Sequence, residues 1–249
     1  MDLGIEGRTA LVTGASKGIG LGIARALAEE GARVAMSSRS RERIEAAARQ
    51  VPGAHALVHD STDLEGAARL VGTAEEELGP IEILVANTGG PPAGPDALAF
   101  APDQWEAAYR SLVLAPMALI ERAVPGMRER GWGRIVNVSS GVVDFPGDMV
   151  SANAYVTSKS ALEGHTLNLA AELAGTGVTV NVLRPGMVNT SMQAWIREQP
   201  IDRVGAALHD WFMQMQESGM LVEPDEPARM IAELVVSQAN GEVVDARQP

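Results

Sequence analysis

Two kinds of run alternate along this chain. Short apolar stretches, often β-branched, recur at Thr9-Ala10-Leu11-Val12-Thr13, Arg33-Val34-Ala35-Met36-Ser37, Ala56-Leu57-Val58-His59, Ile81-Glu82-Ile83-Leu84-Val85-Ala86, Arg134-Ile135-Val136-Asn137-Val138-Ser139 and Thr179-Val180-Asn181-Val182-Leu183. They are too short for helices and apolar over most of their length, as strands buried on both faces should be. Longer stretches between them predict helices over about 18–30, 41–50, 64–78, 103–130 and 154–174. Gly31 stops the first, and Gly175 and Gly177 stop the fifth. A last helix is expected near Pro227, and Glu242-Val243-Val244 reads as an edge strand. Residues 187–223 break the rhythm, with Trp195, Trp211, Phe212 and several Met but no clean period. Strand–helix alternation predicts an α/β fold. We expect one doubly wound, Rossmann-type domain over residues 1–249, with a parallel seven-stranded sheet and helices on both faces.

Composition narrows the partners. The chain has 249 residues, 46% of them hydrophobic, which suits one domain with a sizeable core. Its net charge of −12 repels phosphate backbones, so no nucleic acid partner is expected. There is no cysteine, hence no disulfide and no thiolate chemistry. His55, His59, His165 and His209 show no zinc-type spacing, and no metal is expected. The start of the chain lacks a basic segment followed by an apolar run, and no stretch approaches a membrane span. A cytoplasmic protein is the expectation.

Two stretches carry chemistry. Gly14-Ala15-Ser16-Lys17-Gly18-Ile19-Gly20 follows the first strand and opens the first helix. Glycines there allow a tight turn and close approach of a phosphate, and free N–H groups at the helix start favour anions. Tyr155 and Lys159 stand four residues apart, on one face of a helix. A nearby ammonium favours a phenolate and lowers the Tyr pKa toward the range useful for acid–base catalysis.

The ordered set Thr13-Gly14-x-x-x-Gly18-Ile19-Gly20, Asn87-Thr88-Gly89-Gly90, Ser140, Tyr155-x-x-x-Lys159 and Arg184-Pro185-Gly186 resembles the short-chain dehydrogenase/reductase family, from Gly7 to about Asp245. The nearest likeness is to 3-oxoacyl-acyl-carrier-protein reductase-like members. The resemblance implies NAD(P)-dependent oxidation of an alcohol or reduction of a carbonyl. It implies catalytic roles for Ser140, Tyr155 and Lys159, with Lys159 also on the nicotinamide ribose. It implies cofactor contacts at Gly14, Ser16, Lys17, Gly18, Ile19, Gly20, Asn87, Gly89, Tyr155, Pro185 and Gly186. Asp60 would contact the adenine amino group, and Val188 and Thr190 the carboxamide.

After the second strand, Ser37-Ser38-Arg39-Ser40-Arg41 offers cations where NAD binders place an acid. With Lys17, Arg39 favours NADPH/NADP+ over NAD. Ser139 and Ser140 are neighbours on a strand, so only one should reach the cleft, and Ser140 is preferred. The span from Ser140 to Tyr155 is about two residues longer than the family norm, with Ser151 as a second candidate.

The Asn that the family carries seven positions past a Trp is absent; counting from Trp105 gives Leu112. Pro116 follows four residues later and should kink the helix, freeing the Leu112 carbonyl for a proton-relay water. Segments Gly90–Phe100, Gly141–Asn153 and Met187–Val222 should border a small-molecule carbonyl or alcohol substrate, with a lid at about 187–223. Met192, Trp195, Trp211, Phe212, Met213 and Met215 suit an adaptable apolar pocket. By the same resemblance helices 103–130 and 154–174 would join copies in a homotetramer or homodimer. The leading reading is an NADPH-dependent carbonyl reductase. A second is an NADP-binding regulatory or partner protein with little turnover; a third is lyase or isomerase chemistry on the same fold.

Overall fold

The computed structural model describes residues 4–90 and 100–246. Seven strands form one parallel sheet: β1 (Thr9–Thr13), β2 (Arg33–Ser38), β3 (His55–Val58), β4 (Ile83–Ala86), β5 (Gly133–Val138), β6 (Val178–Arg184) and β7 (Val243–Asp245). Their order is β3-β2-β1-β4-β5-β6-β7. Winding therefore reverses between β1 and β4, and a crevice opens beyond the carboxyl ends of those strands. The edge strand expected at Glu242–Val244 is present as β7, beside β6.

Strand alternation divides the core in two. Ala10, Val12, Val34, Met36, Ile83 and Val85 point to one face of the sheet. There they meet Ile23 and Leu27 of α1 (Gly18–Glu29), Ile44 of α2 (Arg41–Ala48) and Ile231 and Val235 of the C-terminal helix Asp225–Val236. Leu11, Ala35, Leu84 and Ile135 point to the other face, against α3 (Leu64–Leu78) and the helix Ala115–Arg130. Each fully buried Leu, Ile or Val contributes about 1.5–3 kcal/mol. Both faces need such residues, and this is why the strands read as unbroken apolar runs.

The helix expected over 103–130 is not one straight element. It consists of α4 (Pro102–Tyr109), a π turn (Arg110–Leu114) and α5 (Ala115–Arg130). Ala115 N–H donates to the Arg110 carbonyl, a five-residue step. Pro116, with no N–H, closes neither an α bond to the Leu112 carbonyl nor a π bond to that of Ser111. The departure from α geometry thus lies where proline was expected to impose it. After α6 (Asn153–Glu172), the stretch without a period holds three short helices: α7 (Ser191–Glu198), α8 (Ile201–Val204) and α9 (Ala206–Glu217). α7 and α8 are too short to display a sustained period, and α9 buries only Leu208 and Phe212. The helix Asp225–Val236 is α10. Leu112, Val142, Met149, Tyr155, Ile196, Leu208 and Phe212 form a third apolar cluster, joining α6 to these helices. The expected loop prolines Pro91, Pro92 and Pro95 lie outside the described residues.

One glycine fixes the register of the strands that deliver the site. Gly177 enters β6 at φ +81°, and its carbonyl accepts from Gly133 N–H at 3.4 Å and from Arg134 Nη1 at 3.1 Å. A Cβ there would lie 1.9 Å from the Gly131 oxygen. Gly177→Ala is expected to cost about 3 kcal/mol, a fall in Tm of roughly 5–10 °C for a chain of this size, measured by thermal denaturation.

Candidate active site

The glycine turn lies at the end of β1, as the sequence predicts. Gly14 has φ +64° and Gly18 φ +56°. Asn87, just past β4, braces the turn: its Nδ2 donates to the carbonyls of Thr13 at 3.1 Å and Gly14 at 3.3 Å. Its own N–H donates to Thr13 Oγ1 at 3.1 Å. A Cβ on Gly20 would meet Asn87 Nδ2 and the Gly14 oxygen, both at 2.5 Å, so only glycine lets helix and turn approach this closely. Lys17 is the N-cap of α1 and makes no side-chain capping bond. The first-turn N–H groups are therefore open to an anion such as a diphosphate. This cradle fits a nicotinamide dinucleotide.

A cleft of about 130 Å³ opens beside this turn. It brings together Ile19, Asn87, Ser140, Tyr155, Lys159 and the strand-end residues Pro185, Gly186, Val188 and Thr190. Thr190 caps α7, accepting from Gln193 N–H at 3.5 Å, and its methyl lies 3.6 Å from where a Gly18 Cβ would stand. Val188 bridges in parallel to Val222, holding the segment after β6 against the body. Arg39 and Asp60 line a second cavity, at the β2–β3 end of the sheet. Arg39 is exposed, and its charge helps to hold the Asp60 carboxyl low. The largest part of that lowering comes from Thr62, whose N–H and hydroxyl both donate to Asp60. Ser16 is half-buried, whereas Lys17 and Gly89 are exposed around the turn.

The serines separate by what each side chain meets. β5 ends at Val138, yet Ser139 N–H still donates to the Leu183 carbonyl at 2.7 Å, and both serines belong to the cleft lining. Ser139 Oγ is buried with no hydrogen-bond partner. Ser140 caps the short turn Gly141–Val143, accepting from Val142 N–H at 3.4 Å, and hydrogen-bonds the Tyr155 phenol. Ser151 does not line the cleft and adopts φ +71°.

The electrostatics of the Tyr–Lys pair also differ from the expectation that Lys159 lowers the Tyr155 pKa. Tyr155 is 8% exposed and Lys159 3%. Burial pushes the Tyr155 phenol up, and the Ser140 hydrogen bond pulls it only partly back. Lys159 Nζ donates to the Val138 carbonyl at 2.7 Å and lies 5.8 Å from the Tyr155 ring centre. Burial lowers its pKa to about 8, against an opposing pull from Glu163. Glu163, one turn further along α6, is itself buried and paired in a fork with Arg184: Nε–Oε1 2.9 Å and Nη2–Oε2 2.7 Å. Arg184 also bonds Asp144 of the loop after Ser140. This network ties the helix carrying Tyr155 to the strand end carrying Pro185.

Met149, Met187 and Gln193 also line the cleft; they lie in the segments expected to border the substrate, but the sequence did not single them out. Met192, Trp211 and Phe212 line it as expected; Trp195, Met213 and Met215 do not.

Residues 8–201 match the family described as short chain dehydrogenase. The chain is 34% identical over 234 residues to the acetoacetyl-CoA reductase of Shinella zoogloeoides, covering 93% of this chain and 92% of that one. Its fold superposes on the L-sorbose reductase of Gluconobacter frateurii, complexed with NADPH and L-sorbose, with a TM-score of 0.86. There identity is 28%, covering 98% of this chain and 97% of the other. It also superposes on the 3-ketoacyl-(acyl-carrier-protein) reductase of Brucella melitensis complexed with NADH, with a TM-score of 0.84 and 26% identity, covering 97% of each chain. This chain belongs to the short-chain dehydrogenase family of oxidoreductases.

Proposed function

We propose that this enzyme is an NADPH-dependent reductase of ketones to secondary alcohols, reversible in principle, with Tyr155 as the general acid. The observation that carries this reading is the convergence of Ser140, Tyr155 and Lys159 with Asn87 and Pro185–Thr190 on one cleft beside the glycine turn. A bound nicotinamide supplies the hydride. The residues of the chain supply the rest. Burial keeps the phenolic proton on Tyr155 near neutrality, which is the form that donates to a carbonyl oxygen as charge develops on it. Ser140, already bonded to the phenol, is placed to share a hydrogen bond with the same oxygen. Lys159 holds a positive charge behind the phenol and stabilises the phenolate left when the proton leaves. Residues Gly14, Ser16, Lys17, Gly18, Ile19, Gly20, Asn87 and Gly89 would floor the diphosphate and ribose; Pro185, Gly186, Val188 and Thr190 would face the nicotinamide.

NADPH is favoured by charge. Arg39 follows β2 and is exposed, Lys17 is exposed in the glycine turn, and no acid stands at the end of β2. A guanidinium there can pair with a 2′-phosphate and stack on adenine. The segment 187–223 would act as the substrate lid over a single domain. Exposed Tyr109 on α4 and Leu167 on α6 mark faces for contacts between copies in a dimer or tetramer.

Turnover of a ketone panel, followed by NADPH oxidation, tests the assignment. Wild type is expected to turn over, and Tyr155→Phe to lose at least about a hundredfold in kcat. No NADPH binding and no turnover with any ketone would remove the reading. The pH profile follows from Lys159. It is charged below about 8 and neutral above, while Tyr155 stays protonated across that range. The kcat/KM for reduction is therefore expected to hold through neutrality and to fall as pH rises past about 8. A flat profile to pH 10 would contradict this.

Arg39→Asp is expected to weaken NADPH binding at least about tenfold and to strengthen NADH binding, read as dissociation constants by nicotinamide fluorescence. A wild type that prefers NADH would reverse the assignment.

A further inference from the structure

The lid side of the cleft is apolar, built from Met149, Met192, Trp211 and Phe212. One polar side chain interrupts it. Gln193, in the first turn of α7, is 6% exposed and lines the same cleft as Ser140 and Tyr155. Its main chain is committed, since its N–H donates to the Thr190 hydroxyl. Its side-chain Oε1 is buried with no hydrogen-bond partner among the described residues. Of the residues lining this cleft, only Gln193 and Ser139 carry such an orphaned atom among the described residues. Ser139 sits at the strand end, on the floor; Gln193 alone stands in the apolar wall.

A buried amide without a partner is costly, and a leucine or methionine of similar volume would avoid the cost. The missing partner is supplied when the cleft is filled. Turning a carboxamide by 180° exchanges its oxygen for its NH2 group. A hydroxyl both donates and accepts, so it satisfies either orientation. A charged substituent fits less well: Lys159 is the one charged side chain lining the cleft among the described residues, and it is bonded to the Val138 carbonyl.

We propose that Gln193 determines substrate class by hydrogen-bonding a neutral hydroxyl of the substrate, and that the enzyme acts on small hydroxyketones and the corresponding diols in preference to plain alkanones. The inference rests on the carbonyl-reductase reading above. The reaction itself is unchanged: hydride goes to the carbonyl carbon, a proton from Tyr155 goes to its oxygen, and the hydroxyl held by Gln193 is not altered.

Matched pairs of equal shape test it. Hydroxyacetone is compared with butanone, and 4-hydroxy-2-butanone with 2-pentanone, each with NADPH. Wild type is expected to favour at least one hydroxyketone over its isostere by about tenfold or more in kcat/KM. Gln193→Met is expected to bring that ratio close to one, with its Tm and its NADPH dissociation constant near those of wild type. Gln193→Asn, which keeps the amide on a shorter arm, is expected to retain part of the preference. Three outcomes overturn the proposal: equal efficiencies for wild type on every pair, an unchanged ratio in Gln193→Met, or a tenfold loss of NADPH affinity in that variant with the ratio preserved. The last would give the amide to the cofactor carboxamide. Failure of wild type to reduce any ketone would remove the carbonyl-reductase reading, and this inference with it.

Discussion

A buried ammonium sets the terms for the rest of this molecule. Lys159 is almost entirely out of solvent, and a lone charge so placed would lose its proton or disrupt the fold. Two groups hold it: the Val138 carbonyl at 2.7 Å and the carboxylate of Glu163 one turn away. Glu163 is in turn a buried charge, fixed by a two-point bond to Arg184. A buried ion pair contributes little net stability by itself, but removing one partner leaves the other uncompensated. The register of β5 against β6 sets Val138 beside Leu183, next to Arg184, so the sheet delivers both supports at one height. The positions of carbonyl, carboxylate and guanidinium then fix where α6 lies, and with it Tyr155.

Much of this architecture is legible in the sequence because it rests on local rules. Strands buried on two faces have to be apolar at nearly every position, and six runs were visible by that criterion, with the seventh read as an edge strand. The glycine turn is legible because its conformation excludes side chains: φ is positive at Gly14 and Gly18, and Asn87 leaves no room beside Gly20. Pro116 announced a disturbed helix, since a missing N–H is a property of the residue alone. Whether that disturbance would be a bend or a π turn depends on how 110–114 packs against α6.

What the sequence concealed depends on contacts between distant segments. Strand alternation was expected to put only one of Ser139 and Ser140 in the cleft; both belong to its lining, but Ser139 Oγ is buried and it is Ser140 that meets the Tyr155 phenol. In the segment 187–223, α7 and α8 are too short to show a period, and the burial of α7, α8 and α9 comes from a cluster shared with Tyr155 and Leu112. Gln193 lies in a segment expected to border the substrate, but nothing in the sequence marks the residue itself. Glutamine is an ordinary surface residue on a helix, and only its burial among methionines and aromatics makes it notable.

The acid–base pair shows where reasoning from spacing stops. A phenol and an ammonium four residues apart suggest mutual stabilisation of their charged forms. In the folded chain burial acts on both groups first, and it favours the neutral form of each: phenol up, ammonium down to about 8. The Lys159 charge is spent on a carbonyl rather than on the phenol, and the 5.8 Å from its nitrogen to the ring centre leaves room for attraction without a bond. A phenolate beside an ammonium is therefore a state of higher energy in the resting protein. In the mechanism proposed above, it becomes accessible when proton loss from Tyr155 is coupled to neutralising charge on a substrate oxygen, since a dry cleft strengthens every such interaction. Desolvation thus holds the proton on the phenol in the resting protein, while the Ser140 hydrogen bond pulls the other way, toward the phenolate.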